Sequence, residues 1–358
     1  MQKEIGSTFW INPNTLQNEY KTFDFSSFGI LGTDIVLTST GRTAILLALT
    51  NIEIINPKVK KVALLPTFSC DSVYEPFRKM GYKIIQYPVD DSLQCRDISN
   101  EILDDVGVIL IHRYFGFNTF QNKDLIDTAK KKGIYIIEDK TQCLFSCFDN
   151  LDADYYVASI RKWMGVLDGG ILFSRNSKIL NKPSCKDEKL EKIKLEAEIS
   201  KFFYINENKG EKEVFLKKYK EAEELINSQD TIYKMSDISL AILSNEDIDF
   251  LKNQRKNNYI ALCNRIKDKK ILIYPDLPKC VVPLYCPILV SKRDDLQEFL
   301  KQNNIYAPII WPKENDLGLA KCGSLYTNLL SIPIDQRYDE NDMIRIANCI
   351  NEFNKDYR

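Results

Sequence analysis

Short apolar runs alternate with longer amphipathic stretches through the first half of the chain, and that alternation predicts its architecture. Residues 61–66, 84–89, 106–111 and 134–137 are brief β-rich apolar runs and read as buried strands. Between them, a stretch ending at Lys79 and residues 123–132 read as helices, closed by Gly81 and Gly133. Two more short runs, 155–158 and 171–173, extend the series. Strands that alternate with helices and lack hairpin signals predict a mainly parallel sheet with helices on its faces.

The pattern changes over residues 181–229, where lysine and glutamate dominate. Leu190, Ile193, Leu195 and Ile199 fall at helical spacing, and Phe215, Leu216 and Tyr219 mark a second helix. The mixed signs predict solvated helical faces rather than a nucleic-acid patch. Beyond this segment a long helix is expected over 246–266, strands near 271–274 and 287–290, and helices over 294–302 and 341–353. Pro275, Pro278, Pro283 and Pro287 read as turns and edges. The organisation expected is a large α/β domain over 1–245, with an N-terminal arm and the helical insert 181–229, and a small α+β domain over 246–358.

Composition narrows the function. The 358 residues carry 49 basic and 50 acidic side chains, so no net field points to nucleic acid or to a membrane surface. No apolar run reaches membrane-spanning length, and the opening residues do not read as a signal peptide. Ten cysteines are scattered without a C-x-x-C pair, which predicts free thiols in a reducing cytoplasm. His112 is the one histidine, so histidine-rich zinc sites and Ser-His-Asp catalysis are disfavoured, and no metal site is expected. His112 itself reads as a satisfied histidine at a strand end.

The candidate chemistry lies between residues 134 and 170. One predicted strand delivers Glu138 and Asp139 at its carboxyl end, where open α/β sheets bind ligands. The next ends at Ser159 and is followed by Arg161, Lys162 and Trp163, then by Gly169 and Gly170, which permit close backbone approach. An acid at one strand end and a lysine past the next suit pyridoxal 5'-phosphate (PLP). The lysine would form a Schiff base with the cofactor aldehyde, and the acid would pair with the pyridine nitrogen. Taken singly, Asp139 reads more readily as a turn cap and Lys162 as a solvated lysine; together, at successive strand ends with a diglycine behind them, they favour the functional reading. Upstream, Ser39 and Thr40 are good N-cap residues before Gly41 and Arg42, and a helix opening there presents N–H groups to an anion. For that segment alone an ordinary capped helix is the favoured reading.

Several motifs together resemble the DegT/DnrJ/EryC1/StrS family of PLP-dependent sugar aminotransferases. T-G-R-T-A-I is similar to the family's phosphate-loop helix start, and L-P-T-F-S-C with G-Y-K-I-I-Q-Y-P-V-D to its next strand pair. I-E-D-K-T-Q resembles its E-D-x-x-Q signature, Y-K-M-S-D-I-S-L-A-I-L its Arg-Met-Ser-Asp helix, and L-L-S-I-P-I-D a late Leu-Pro segment. The resemblance implies a fold type I PLP-dependent transferase working as a homodimer. Its partners would be a small-molecule amino donor such as glutamate and a keto sugar acceptor, with neither nucleic acid nor membrane involved. It implies Lys162 as the catalytic Schiff-base lysine and Asp139 on the pyridine nitrogen. Gln142 would face the phenolic oxygen, and Gly41, Arg42 and Ser159 the phosphate. Cys70 stands where the family often stacks an aromatic on the ring.

The chain departs from that pattern at several points. Only Ile160 and Arg161 separate Ser159 from Lys162, Lys234 replaces an arginine, and Ile232 stands where an asparagine commonly reaches the neighbouring subunit's phosphate. The family's dehydratases carry histidine at the lysine position, so Lys162 favours amino transfer. A non-catalytic or regulatory protein retaining the fold is the other alternative.

Overall fold

The computed structural model describes residues 3–17, 21–28, 34–95, 98–148, 151–312 and 323–356. The fold is mixed α/β with a mainly parallel central sheet. In chain order the strands are β1 (Ile5–Gly6), β2 (Asp34–Thr38), β3 (Val62–Pro66), β4 (Lys83–Tyr87), β5 (Val108–His112), β6 (Tyr135–Asp139), β7 (Tyr155–Ser159), β8 (Gly170–Ser174), β9 (Cys286–Leu289), β10 (Ile305–Tyr306) and β11 (Leu329–Ile332). The helices are α1 (Gly41–Ile55), α2 (Asp71–Lys79), α3 (Lys123–Lys131), α4 (Glu188–Glu207), α5 (Lys212–Asn227), α6 (Asp237–Asn245), α7 (Ile248–Arg265), α8 (Arg293–Gln302), α9 (Leu325–Asn328) and α10 (Glu340–Asp356). Two compact units result, one of residues 1–7, 60–153 and 247–358, the other of 8–59 and 154–246.

In the first unit β6, β5, β3 and β4 lie side by side and parallel, as their continuous apolar runs predict. All five residues of β5 are buried. The register sets His112 opposite Asp139, so both strands end level. α3 starts where the sequence predicts: the Asn122 side chain accepts from Leu125 N, Asp124 sits in the first turn, and Lys130 and Lys131 close the last.

The C-terminal part of this unit pairs β9 antiparallel with β11, and β1 pairs parallel with β10. The strand expected near 271–274 does not form. A 3-10 turn at Lys269–Ile271 leads to Leu272, which makes one isolated bridge to Ile288. Ile273 N donates once more, to Pro287 O, and Pro275, three residues past Leu272, cannot donate.

In the second unit β2, β8 and β7 are antiparallel, with Gly170 opposite both Thr38 and Ser159. That row brings the start of α1 and the end of β7 to the same place. The helical insert forms the hairpin α4–α5, joined by the buried clusters Leu190, Ala222 and Ile226, and Ala197, Phe215 and Tyr219.

Its charges correct the expectation of a solvated face. Lys194, Glu198 and Lys201 are buried on α4, while Leu216 on α5 is exposed. The reason is local pairing: Lys194 Nζ lies 3.2 Å from Glu198 Oε1, and Lys201 Nζ donates to the backbone oxygen of Thr8. Tyr219 Oη likewise donates to Phe9 O at 2.9 Å, so the insert holds the N-terminal arm.

Burial pushes the Glu198 carboxyl up to about 7, against the cations of Lys194, Arg161 and Lys201. A carboxyl raised on folding contributes stability below its ordinary value, and loses it as pH rises through the folded value. Relative to Glu198→Gln, which does not titrate, the wild-type unfolding free energy should fall by at most about 3 kcal/mol between about pH 4 and about pH 8. Denaturant unfolding of both proteins across that range measures it, and parallel pH profiles would refute the raised value.

Candidate active site

Strand alternation separates the two acids of β6. Glu138 and Asp139 point to opposite faces. Glu138 is wholly buried, its Oε1 3.5 Å from Arg113 Nε and its Oε2 accepting from Leu151 N. That acid is structural. Asp139 receives Thr141 N at 2.8 Å on Oδ1 and faces His112 Nδ1 at 3.1 Å on Oδ2. Burial pushes its carboxyl upward, but the His112 charge and the hydrogen bonds from His112 and Thr141 outweigh this and hold it below the ordinary value. Asp139 is therefore an ionised carboxylate, buried and aligned at a strand end.

Gln142 is buried on the turn after β6. Its Oε1 accepts from Phe115 N at 2.8 Å, which fixes the amide orientation and leaves its NH₂ to donate. Cys70 is the N-cap of α2, its sulfur 3.0 Å from Ser72 Oγ.

An aromatic group that the sequence reading missed surrounds His112. The ring of Tyr114 lies 4.7 Å from it and that of Trp311 5.5 Å, and Phe68 is 5.1 Å from Trp311. Tyr114 adjoins His112 in sequence. Trp311 lies far along the chain in a proline-flanked segment without periodicity, so nothing local marked it.

The second set of residues gathers around the start of α1. Thr40 is the N-cap: its Oγ1 accepts from Thr43 N, and Thr43 Oγ1 accepts from Thr40 N, each at 3.1 Å. The amides of Gly41 and Arg42 precede the helical hydrogen-bond ladder, and no acid stands in the first turn to compete for an anion. A Cβ at Gly41 would sit 3.1 Å from Ser159 Cβ, so helix start and strand end touch. At Gly170 a Cβ would lie 2.0 Å from Thr40 O, and Gly169 donates to Ser39 O at 2.7 Å. The diglycine permits this approach, as its sequence predicts.

Lys162 ends the 3-10 turn Ile160–Lys162 and is exposed, between buried Ile160 and Trp163. Arg42 turns its guanidinium to α5, donating to Asn227 Oδ1 at 2.9 Å and Ile226 O at 3.4 Å. What Arg42 offers an anion in this arrangement is its backbone N–H.

The structure thus groups Gly41, Ser159 and the Thr40 turn in one unit, and Asp139 and Gln142 around His112 and Phe115 in the other. Both groups fit PLP chemistry by their donors. One holds a buried negative charge for a ring nitrogen, and the other presents helix-start amides and a hydroxyl for a phosphate.

The model of the DegT/DnrJ/EryC1/StrS aminotransferase family matches residues 23–351. A search of the curated proteins gives no match. Among solved structures, the chain is similar to Helicobacter pylori PseC, an aminotransferase involved in the biosynthesis of pseudoaminic acid. That match has a TM-score of 0.70 at 13% identity and covers 99% of this chain and 100% of that one. It is also similar to the sugar aminotransferase CalS13 from Micromonospora echinospora, with a TM-score of 0.63, 13% identity and coverage of 97% and 99%. A DegT DnrJ EryC1 StrS aminotransferase from Brucella abortus gives a TM-score of 0.61 at 18% identity, with 96% and 91% covered. These identities speak to the fold, whereas the family match spans nearly the whole sequence. The chain belongs to the DegT/DnrJ/EryC1/StrS aminotransferase family.

Proposed function

We propose that the protein uses PLP to move an amino group from an amino acid such as glutamate to a keto sugar, its acceptor linked to a nucleotide, and that it works as a homodimer. The observation that carries this reading is the buried Asp139 carboxylate, held ionised by His112 and Thr141 at a strand end. When bound, PLP supplies an aldehyde that takes up and gives back the amino group, and a ring that withdraws electrons from the carbon being deprotonated.

Each residue then has a definite task. Asp139 keeps a proton on the pyridine nitrogen, since a buried carboxylate favours the charged ring. His112, on the other carboxylate oxygen, keeps Asp139 aimed and ionised. Gln142 donates its NH₂ to the phenolic oxygen. The amides of Gly41 and Arg42 and the Ser159 hydroxyl bind the phosphate at the start of α1. Cys70 packs beside the ring with less surface than an aromatic would offer. Lys162 holds the cofactor between turnovers, and as a displaced amine removes and returns the proton on the substrate carbon.

The deciding experiment incubates the PLP-loaded protein with glutamate and a panel of nucleotide-linked keto sugars. Formation of 2-oxoglutarate together with a carbonyl-to-amine change in one sugar is the expected result. Deamination of glutamate without any sugar product would remove the keto sugar from the proposal.

A further inference from the structure

The turn that carries Lys162 is pinned on both sides. Ile160 N donates to Gly169 O at 3.0 Å, and the wholly buried Trp163 donates its N–H to Ile160 O at 2.9 Å. Lys162 between them is exposed, on a four-carbon stem.

Its neighbour Arg161 runs to the helical insert, placing Nη1 3.2 Å from Glu223 Oε1 on α5. Against partial burial, which raises it, the cations of Arg161, Lys194 and Lys162 hold the Glu223 carboxyl below its ordinary value. One turn further along α5, Ile226 O and Asn227 Oδ1 receive the Arg42 guanidinium from the start of α1. Gln229, just past the helix, has its Oε1 3.3 Å from Ser39 Oγ and donates to Asp187, the N-cap of α4. One end of α5 therefore touches a neighbour of each anchor, the lysine turn and the helix start.

We infer that Glu223 is a positioning residue for Lys162, acting through Arg161, and that the hairpin α4–α5 is in the fold to place it there; this rests on Lys162 being the lysine that bonds PLP. The carboxylate fixes the guanidinium beside Lys162 and adds negative charge that favours the protonated lysine nitrogen. Among the described residues, Lys194 and its partner Glu198 on α4, Asp168 and Lys162 itself also act on Arg161 or Glu223. Glu223 is the carboxylate paired directly with Arg161.

The test is a pH titration of the visible absorption band of the PLP-loaded full chain, with melting temperatures of the same samples. Wild type, Glu223→Gln, Glu223→Ala and Glu223→Asp are compared. Loss of the charge should move the midpoint of the band to lower pH by about half a unit or more. Aspartate should restore part of that shift, and melting temperatures should stay within about 2 °C of wild type, as for an exposed helix position. An unmoved midpoint in the Gln and Ala variants overturns the inference, whatever the melting temperatures do. So does an Asp variant that matches Gln. A wild type whose band is absent, or whose cofactor bonds another lysine, overturns the cofactor reading and this inference with it.

Discussion

Borohydride reduction of the PLP-loaded protein should leave the cofactor on one peptide, the one containing Lys162. Lys162→Ala should lose that attachment and slow amino transfer by about 10²- to 10⁴-fold from loss of the proton-transferring amine alone. The expectation follows from position. Lys162 follows the end of β7 directly, and Ser159 at that strand end meets the start of α1. The competing lysine by sequence is Lys140, beside Asp139, but it is buried where β6 ends. Lys234 is the other candidate, bridged to Thr38 at the edge of β2. Peptide mapping of the reduced protein separates all three, and a label on either alternative would displace Lys162.

Asp139→Asn should keep PLP bound yet lose amino transfer by about 10²- to 10⁴-fold, the equivalent of the roughly 3–5 kcal/mol at stake when one partner of a buried charge pair is removed. The amide preserves shape and keeps an oxygen for Thr141 N, but it cannot hold a proton on the ring nitrogen. The pH behaviour follows from the same environment. A carboxyl depressed on folding contributes stability above its ordinary value and loses it as pH falls through the folded value. Turnover and stability should therefore show no loss from Asp139 at pH well above 3.8, its unperturbed value. Single-turnover rates of the loaded variant and the wild type measure the first claim. Near-normal turnover in Asp139→Asn would remove its electronic role.

How much was legible in advance depends on how local each signal is. The strand that ends at Asp139 and the helix that opens at Gly41 announce themselves in a few residues, through apolar runs, caps and glycines. The place of the acid at a strand end was legible for that reason. Its partner His112 was recognised as a satisfied strand-end histidine, but not as the partner of Asp139, because only the β5–β6 register joins residues 27 positions apart. The antiparallel placement of β2 against β8 was invisible for the same reason. The buried lysines of α4 misled by composition. A run of mixed charge reads as solvated until an arm arrives to offer Lys201 a backbone carbonyl. Arg42 shows the same limit, since its guanidinium is claimed by a helix end some 185 residues away.

The pairing of β1 with β10 also governs when the molecule can be finished. Ile5 finds its partner only once Ile305 exists, 300 residues later. At typical translation speeds that interval is roughly 15–60 s. The unit made of residues 8–59 and 154–246 is complete in sequence well before then, whereas the other waits for the segment 247–358. On the ribosome, the four parallel strands from β3 to β6 are thus synthesised, with the helices α2 and α3 between them, long before the C-terminal helices of their own unit.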